Sequence, residues 1–170
     1  MDENIVLIGF MGSGKTSVGI RLSKGLKKEF IDMDDFIEKR EGAKVSEIFK
    51  TKGEAYFREL EKDLCVRYSE PKGKVIATGG GVIKSEENVT NLKKGGIIIY
   101  LKCSSKQIAH NLRNDNSRPL LKVKDKEKKI AELLAQREPT YRKCADIIIN
   151  VTNIDLNKTV EVIKHKLKLD

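Results

Sequence analysis

Residues 9–16 read Gly-Phe-Met-Gly-Ser-Gly-Lys-Thr and fit the pattern G-x-x-x-x-G-K-[ST]. That spacing builds a phosphate cradle. Glycines let the chain turn tightly enough for successive backbone N–H groups to converge on phosphate oxygens. A helix starting at the loop points its positive end at the same spot. In this reading Gly12, Ser13, Gly14, Lys15, Thr16 and Ser17 hold a nucleoside triphosphate. Lys15 reaches the β- and γ-phosphates, and Thr16 gives its hydroxyl to Mg²⁺. A second contact to the cation is expected from a carboxylate at the end of a neighbouring strand, and Ile31-Asp32-Met33-Asp34 offers two. Alternate residues of an extended segment face the same way, so Asp32 and Asp34 would point together into one crevice. Asp32, nearer the sheet, would hold the hydration shell of Mg²⁺, and Asp34, further out, would meet the acceptor. The rival reading has Asp34-Asp35 capping a helix over residues 36–40.

Those groups need a frame. Five short apolar, β-branched runs stand out, at 4–8, 30–32, 74–78, 96–101 and 145–151. Several are apolar throughout rather than alternating, as in strands buried on both faces of a parallel sheet. Between them lie helical stripes: Val18, Leu22, Leu26; Phe57, Leu60, Leu64; Ile130, Leu133, Leu134; and Leu156, Val160, Ile163, Leu167. Strands alternating with helices predict a three-layer α/β sandwich, a five-stranded parallel sheet with right-handed crossovers. A helical stretch from about 36 to 68 sits between the second and third strands, and about 33–61 would carry the acceptor. Residues from about 113 to 126 are polar and charged apart from Pro119-Leu120-Leu121, and read as a lid or a plain surface loop.

The chain has 170 residues, which suits one domain with a core of its own. Cys65, Cys103 and Cys144 are odd in number and far apart, which argues against a disulfide framework or a zinc site and for a reducing compartment. The N-terminus, with Asp2 and Glu3, does not read as a signal peptide, and no apolar run approaches a membrane span, so a cytoplasmic protein without a membrane partner is expected. The net charge of +9 is dispersed, and the lysine cluster over 122–129 is broken by acidic residues. With 5 % aromatic residues and no tryptophan, base-stacking platforms are scarce, so a nucleic-acid partner is not expected.

Taken together, the motifs resemble the shikimate kinase family over nearly the whole chain. The resemblance rests on Gly9–Thr16, Asp32-Met33-Asp34, Phe57-Arg58-Glu59-Leu60-Glu61, Ala77-Thr78-Gly79-Gly80-Gly81, and Arg118-Pro119-Leu120-Leu121 with Arg137-Glu138-Pro139-Thr140-Tyr141, in that order. It implies transfer of the ATP γ-phosphate, with Mg²⁺, to the 3-hydroxyl of shikimate, by a monomer. It implies that Asp34, Lys15 and Arg118 are catalytic and that Arg118 also swings over the phosphates. Arg58 and Arg137 would grip the carboxylate as two-pronged forks. Asp34 would accept from vicinal hydroxyls, and Gly79, Gly80 and Gly81 would offer N–H groups free of side chains. Each has a plainer rival: Arg58 could be a helix ion pair with Glu54 and Glu61, Arg118 could face solvent, and the glycines could be a turn. One departure stands out. The family often carries an adenine-stacking arginine where this chain has Asn111; His110 or Arg113 are candidate substitutes, and Thr152-Asn153-Ile154 resembles the base-lining loop. A gluconate or nucleoside monophosphate kinase of the same architecture is the nearest alternative, and a non-catalytic nucleotide-binding regulator the more distant one.

Overall fold

The structure is a computed structural model and describes residues 1–115, 121 and 124–169. Five strands, β1 (Asn4–Ile8), β2 (Phe30–Asp32), β3 (Val75–Ala77), β4 (Gly96–Lys102) and β5 (Ile147–Asn150), form one parallel sheet in the order β2-β3-β1-β4-β5. Every residue of β1 and β3 is buried, which is why those runs are apolar without alternation.

Among the described residues eight α-helices surround it: α1 (Lys15–Leu26), α2 (Met33–Glu41), α3 (Val45–Lys52), α4 (Glu54–Arg67), α5 (Glu86–Gly95), α6 (Ser105–Asn111), α7 (Lys126–Cys144) and α8 (Leu156–Lys166). The strand order dictates which face each covers. The step from β1 to β2 runs one way along the sheet and all later steps run the other way. With right-handed crossovers, α1 therefore lies on one face and the helices between later strands on the opposite one. After β5, α8 returns to pack on α1. The predicted insertion is α2, α3 and α4.

Register decides what can meet. Asp32 and Leu7 both pair with Ala77, so β2, β3 and β1 end level. The side chain and the N–H of Thr78 each donate to the Leu7 carbonyl at 3.1 Å, locking β3 to β1 just before the glycines begin. Residues after 8, 32 and 78 thus leave the same carboxyl edge, where doubly wound sheets place their ligands.

Candidate active site

The loop after β1 is a tight turn, with the Ser13 N–H donating to the Phe10 carbonyl at 3.1 Å. Gly12 and Gly14 sit at φ 78° and 94°, left-handed values that side chains disfavour. Gly14 is the N-cap of α1, and no acidic residue lies in that helix's first turn to offset its positive end. Lys15 folds along the loop: its Nζ donates to the carbonyls of Gly9 at 2.6 Å and Phe10 at 3.1 Å. The Thr16 hydroxyl donates to Asp32 Oδ2 at 2.7 Å, which joins the loop to the end of β2. A hydroxyl and a carboxylate side by side at the phosphate end form the hard-oxygen pair that suits Mg²⁺.

The expected alternation of Asp32 and Asp34 is wrong. The chain does not stay extended past Asp32. Asp32 is the N-cap of α2, and its Oδ1 accepts from the N–H groups of Asp34 at 3.1 Å and Asp35 at 3.2 Å. The helix starts at Met33, so the rival cap at Asp34-Asp35 is wrong too. Asp34 reaches the crevice from the first helical turn, where the helix dipole favours a carboxylate.

The glycine triplet is where the residues expected to hold the acceptor meet. A Cβ on Gly79 would lie 2.7 Å from Asp34 Oδ1 and 2.9 Å from Glu61 Oε2. On Gly80 it would be 3.5 Å from Arg137 Nη1, and on Gly81 2.5 Å from Arg58 Nη1. None of the three has positive φ. Four side chains from three helices close on this backbone, tightly at Gly79 and Gly81 and at ordinary contact distance at Gly80.

Arg58 combines both readings offered for it. Its guanidinium bonds Glu54 Oε1 through Nη2 at 3.1 Å on the outer side and Glu61 Oε1 through Nη1 on the inner side. It also lies over the rings of Phe57, at 5.5 Å, and Phe49, at 5.9 Å. Arg137 is half-buried on α7, 5.5 Å over the Phe10 ring of the phosphate loop. Arg118 lies outside the described residues, as do 116–120 and 122–123 of the expected lid. Just outside them, Lys126 Nζ donates to the carbonyls of Leu112 and, at 2.8 Å, Asp115, so one ammonium ties the two ends of that segment together.

Two side chains that the sequence reading passed over also belong here. Lys84, in the 3₁₀ turn after the glycines, has its ammonium pKa pushed down by burial, then by Arg137 and Arg58. Three cations, Arg58, Lys84 and Arg137, thus stand close enough to one another to interact. Tyr141 donates to the Gly80 carbonyl at 3.3 Å. Its place on the same helix face as Arg137, four residues earlier, was the available signal.

Asn111 is tied to the phosphate loop. Its Nδ2 donates to the Gly12 carbonyl at 2.8 Å while Gln107 donates to its Oδ1 at 2.9 Å. Arg113 turns back to the His110 carbonyl at 2.8 Å. Beside them a cleft of about 410 Å³ is lined by Ser13, Ser17, Gln107, Asn111, Asn153 and Ile154 among others. Neither His110 nor Arg113 lines it, so the expected substitution by either has no support. Of the loop 152–154, Asn153 and Ile154 line it.

The shikimate kinase sequence profile matches residues 11–168. A shikimate kinase from Caldanaerobacter subterraneus subsp. tengcongensis is 47 % identical over 168 residues, covering 98 % of both chains. The chain belongs to the shikimate kinase family. The solved shikimate kinase from Acinetobacter baumannii, in complex with shikimate, superposes with a TM-score of 0.89 at 36 % identity, covering 98 % of this chain and 93 % of that one. A gluconokinase from Sinorhizobium meliloti reaches 0.53 at 14 % identity, a likeness of fold alone. The family assignment thus decides against the gluconate-kinase and regulator alternatives.

Glu61 gives this cluster a pH signature. Its side chain is 1 % exposed, and Oε2 has no hydrogen-bond partner among the described residues. Burial raises its pKa from 4.5 to about 7, with Arg58 pulling it down and Asp34 pushing it further up. The folded state then binds the proton more tightly than the unfolded chain. Its contribution to stability is complete below pH 4.5 and is lost as pH rises to about 7. Glu61→Gln cannot titrate. The melting temperature of the ligand-free enzyme should fall between those pH values relative to Glu61→Gln; parallel melting curves would assign the titration elsewhere.

Proposed function

We propose that this chain transfers the γ-phosphate of ATP to the 3-hydroxyl of shikimate, giving shikimate 3-phosphate and ADP, a step towards chorismate and the aromatic amino acids. The observation that carries the reading is the convergence of Asp34, Arg58 and Arg137 on Gly79, Gly80 and Gly81, level with the phosphate loop across the same sheet edge.

The loop N–H groups of 12–17 and the Lys15 ammonium take the phosphates. Thr16, with Asp32 behind it through water, would hold Mg²⁺, which offsets the charge on the β- and γ-phosphate oxygens. Arg58 and Arg137 grip the shikimate carboxylate, and Glu61 holds Arg58 in place. Asp34 takes the proton as the 3-hydroxyl oxygen bonds to the γ-phosphorus and the bond to the β,γ-bridging oxygen breaks. Residues 33–61 form the acceptor segment. Residues 113–126 form the lid that brings Arg118 over the γ-phosphate and excludes water. Leu121, 4 % exposed, supports docking of that lid. The adenine occupies the cleft lined by Asn111 and Asn153. We read the enzyme as a cytoplasmic monomer without nucleic-acid or membrane partners. Three buried free thiols agree with a reducing compartment, and no helix among the described residues is long and apolar enough to cross a membrane.

The clamp is tested by Arg58→Lys, which keeps the charge and loses the fork. KM for shikimate should rise at least tenfold, the worth of a hydrogen bond to a charged group being about 1.5–3 kcal/mol, with KM for ATP unchanged. A rise confined to ATP would misassign the clamp.

A further inference from the structure

Tyr141 is a buried phenol to which the mechanism above gives no task. It is 1 % exposed, and its ring stacks on Tyr100 with centroids 4.9 Å apart and planes 15° apart. The two hydroxyls differ. That of Tyr100 is buried without a hydrogen-bond partner among the described residues. That of Tyr141 donates to the Gly80 carbonyl at 3.3 Å and feels the charge of Arg137, which pulls its pKa down against burial. Arg137 Nη1 in turn sits 3.5 Å from where a Gly80 side chain would begin. Tyr141 and Arg137, one turn apart on α7, therefore both meet the glycine loop after β3 at Gly80. No strand pairing links those two elements, so their spacing depends on such contacts.

We propose that Tyr141 is a positioning residue: its hydroxyl, held rigid by the Tyr100 ring, sets the distance between Arg137 and the Gly80 backbone and so the width of the carboxylate grip. The phenol suits this role because it can donate to a carbonyl and accept from a guanidinium at once. Burial first of all raises its pKa, which keeps it a donor across the working range of pH. The inference rests on the assignment of Arg137 to the shikimate carboxylate.

The experiment measures shikimate and ATP affinity by calorimetry, with KM and kcat alongside, below the melting point of each variant. The set is Tyr141→Phe, Tyr100→Phe, Arg137→Lys and the Tyr141→Phe/Arg137→Lys pair. Tyr141→Phe keeps the ring and removes the contact. It should weaken shikimate up to about tenfold, in line with the loss of one hydrogen bond of about 0.5–1.5 kcal/mol, and leave ATP within twofold. Tyr100→Phe should change neither. The double variant should bind shikimate within twofold of Arg137→Lys alone, because the hydroxyl acts through that arginine. If Arg137→Lys weakens shikimate and Tyr141→Phe does not, the positioning role is overturned and the clamp stands. If Arg137→Lys has no effect, the clamp itself fails. Equal losses in Tyr141→Phe and Tyr100→Phe, or a matching loss of ATP affinity, would reduce Tyr141 to core packing and overturn the proposal.

Discussion

Asp34→Asn should lose about 10²–10⁴-fold in kcat, the range for a general base, while ATP binds as before. The substitution is nearly isosteric, and Asp34 takes part in α2 through its N–H, which Asp32 accepts at 3.1 Å. The fold should therefore survive. What disappears is the ability to take a proton at a site 2.7 Å from where a Gly79 side chain would start. The position cannot be recovered by a neighbour: Glu61, the other carboxylate against Gly79, is engaged with Arg58 and shifted towards its neutral form. Single-turnover rates give the check, since they separate chemistry from product release. A rate within a few-fold of wild type would leave Asp34 as no more than a first-turn helix carboxylate.

Lys15→Ala should cost about 10²–10³-fold in kcat, the scale set by removing one preorganised donor from a transition state. Phosphoryl transfer leaves the protein little covalent chemistry, so positioning and charge supply most of the rate. Lys15 has a second task, because its Nζ bonds the carbonyls of Gly9 and Phe10 across the turn. Its loss should loosen the loop as well, so KM for ATP should rise alongside. Shikimate binding in the absence of nucleotide should stay near wild type. A variant that kept kcat within tenfold would contradict the placement of the lysine on the β- and γ-phosphates.

What could be read from the sequence was local. The β1–loop–α1 unit follows from an apolar run, glycines at fixed offsets and a lysine-threonine pair, all within one stretch of chain. The parallel sheet with helices between its strands follows from alternation, whereas the strand order is seen only in the structure, and crossover handedness then sets the helix faces. The Asp32-Met33-Asp34 segment misled because the same letters fit an extended strand and a capped helix. The cap won, and Asp34 and Asp35 in the first turn were its signal. The purpose of the glycine triplet could not be read, because it depends on side chains from α2, α4 and α7 that meet only in three dimensions. The same holds for Lys84 and for Tyr141, whose partner carbonyl is 61 residues away. Asn111 could be seen to depart from the family pattern. That it would bond the Gly12 carbonyl instead depended on where α6 lands against the phosphate loop.

The central claim is that the phosphate loop and the Asp34–Arg58–Arg137 cluster serve one reaction on one acceptor. The most direct measurement is release of ADP from MgATP by the purified protein, with and without shikimate, against quinate and gluconate. Rapid release that depends on shikimate, with quinate and gluconate poor, is the predicted result; no turnover with shikimate, or equal turnover with gluconate, would contradict it.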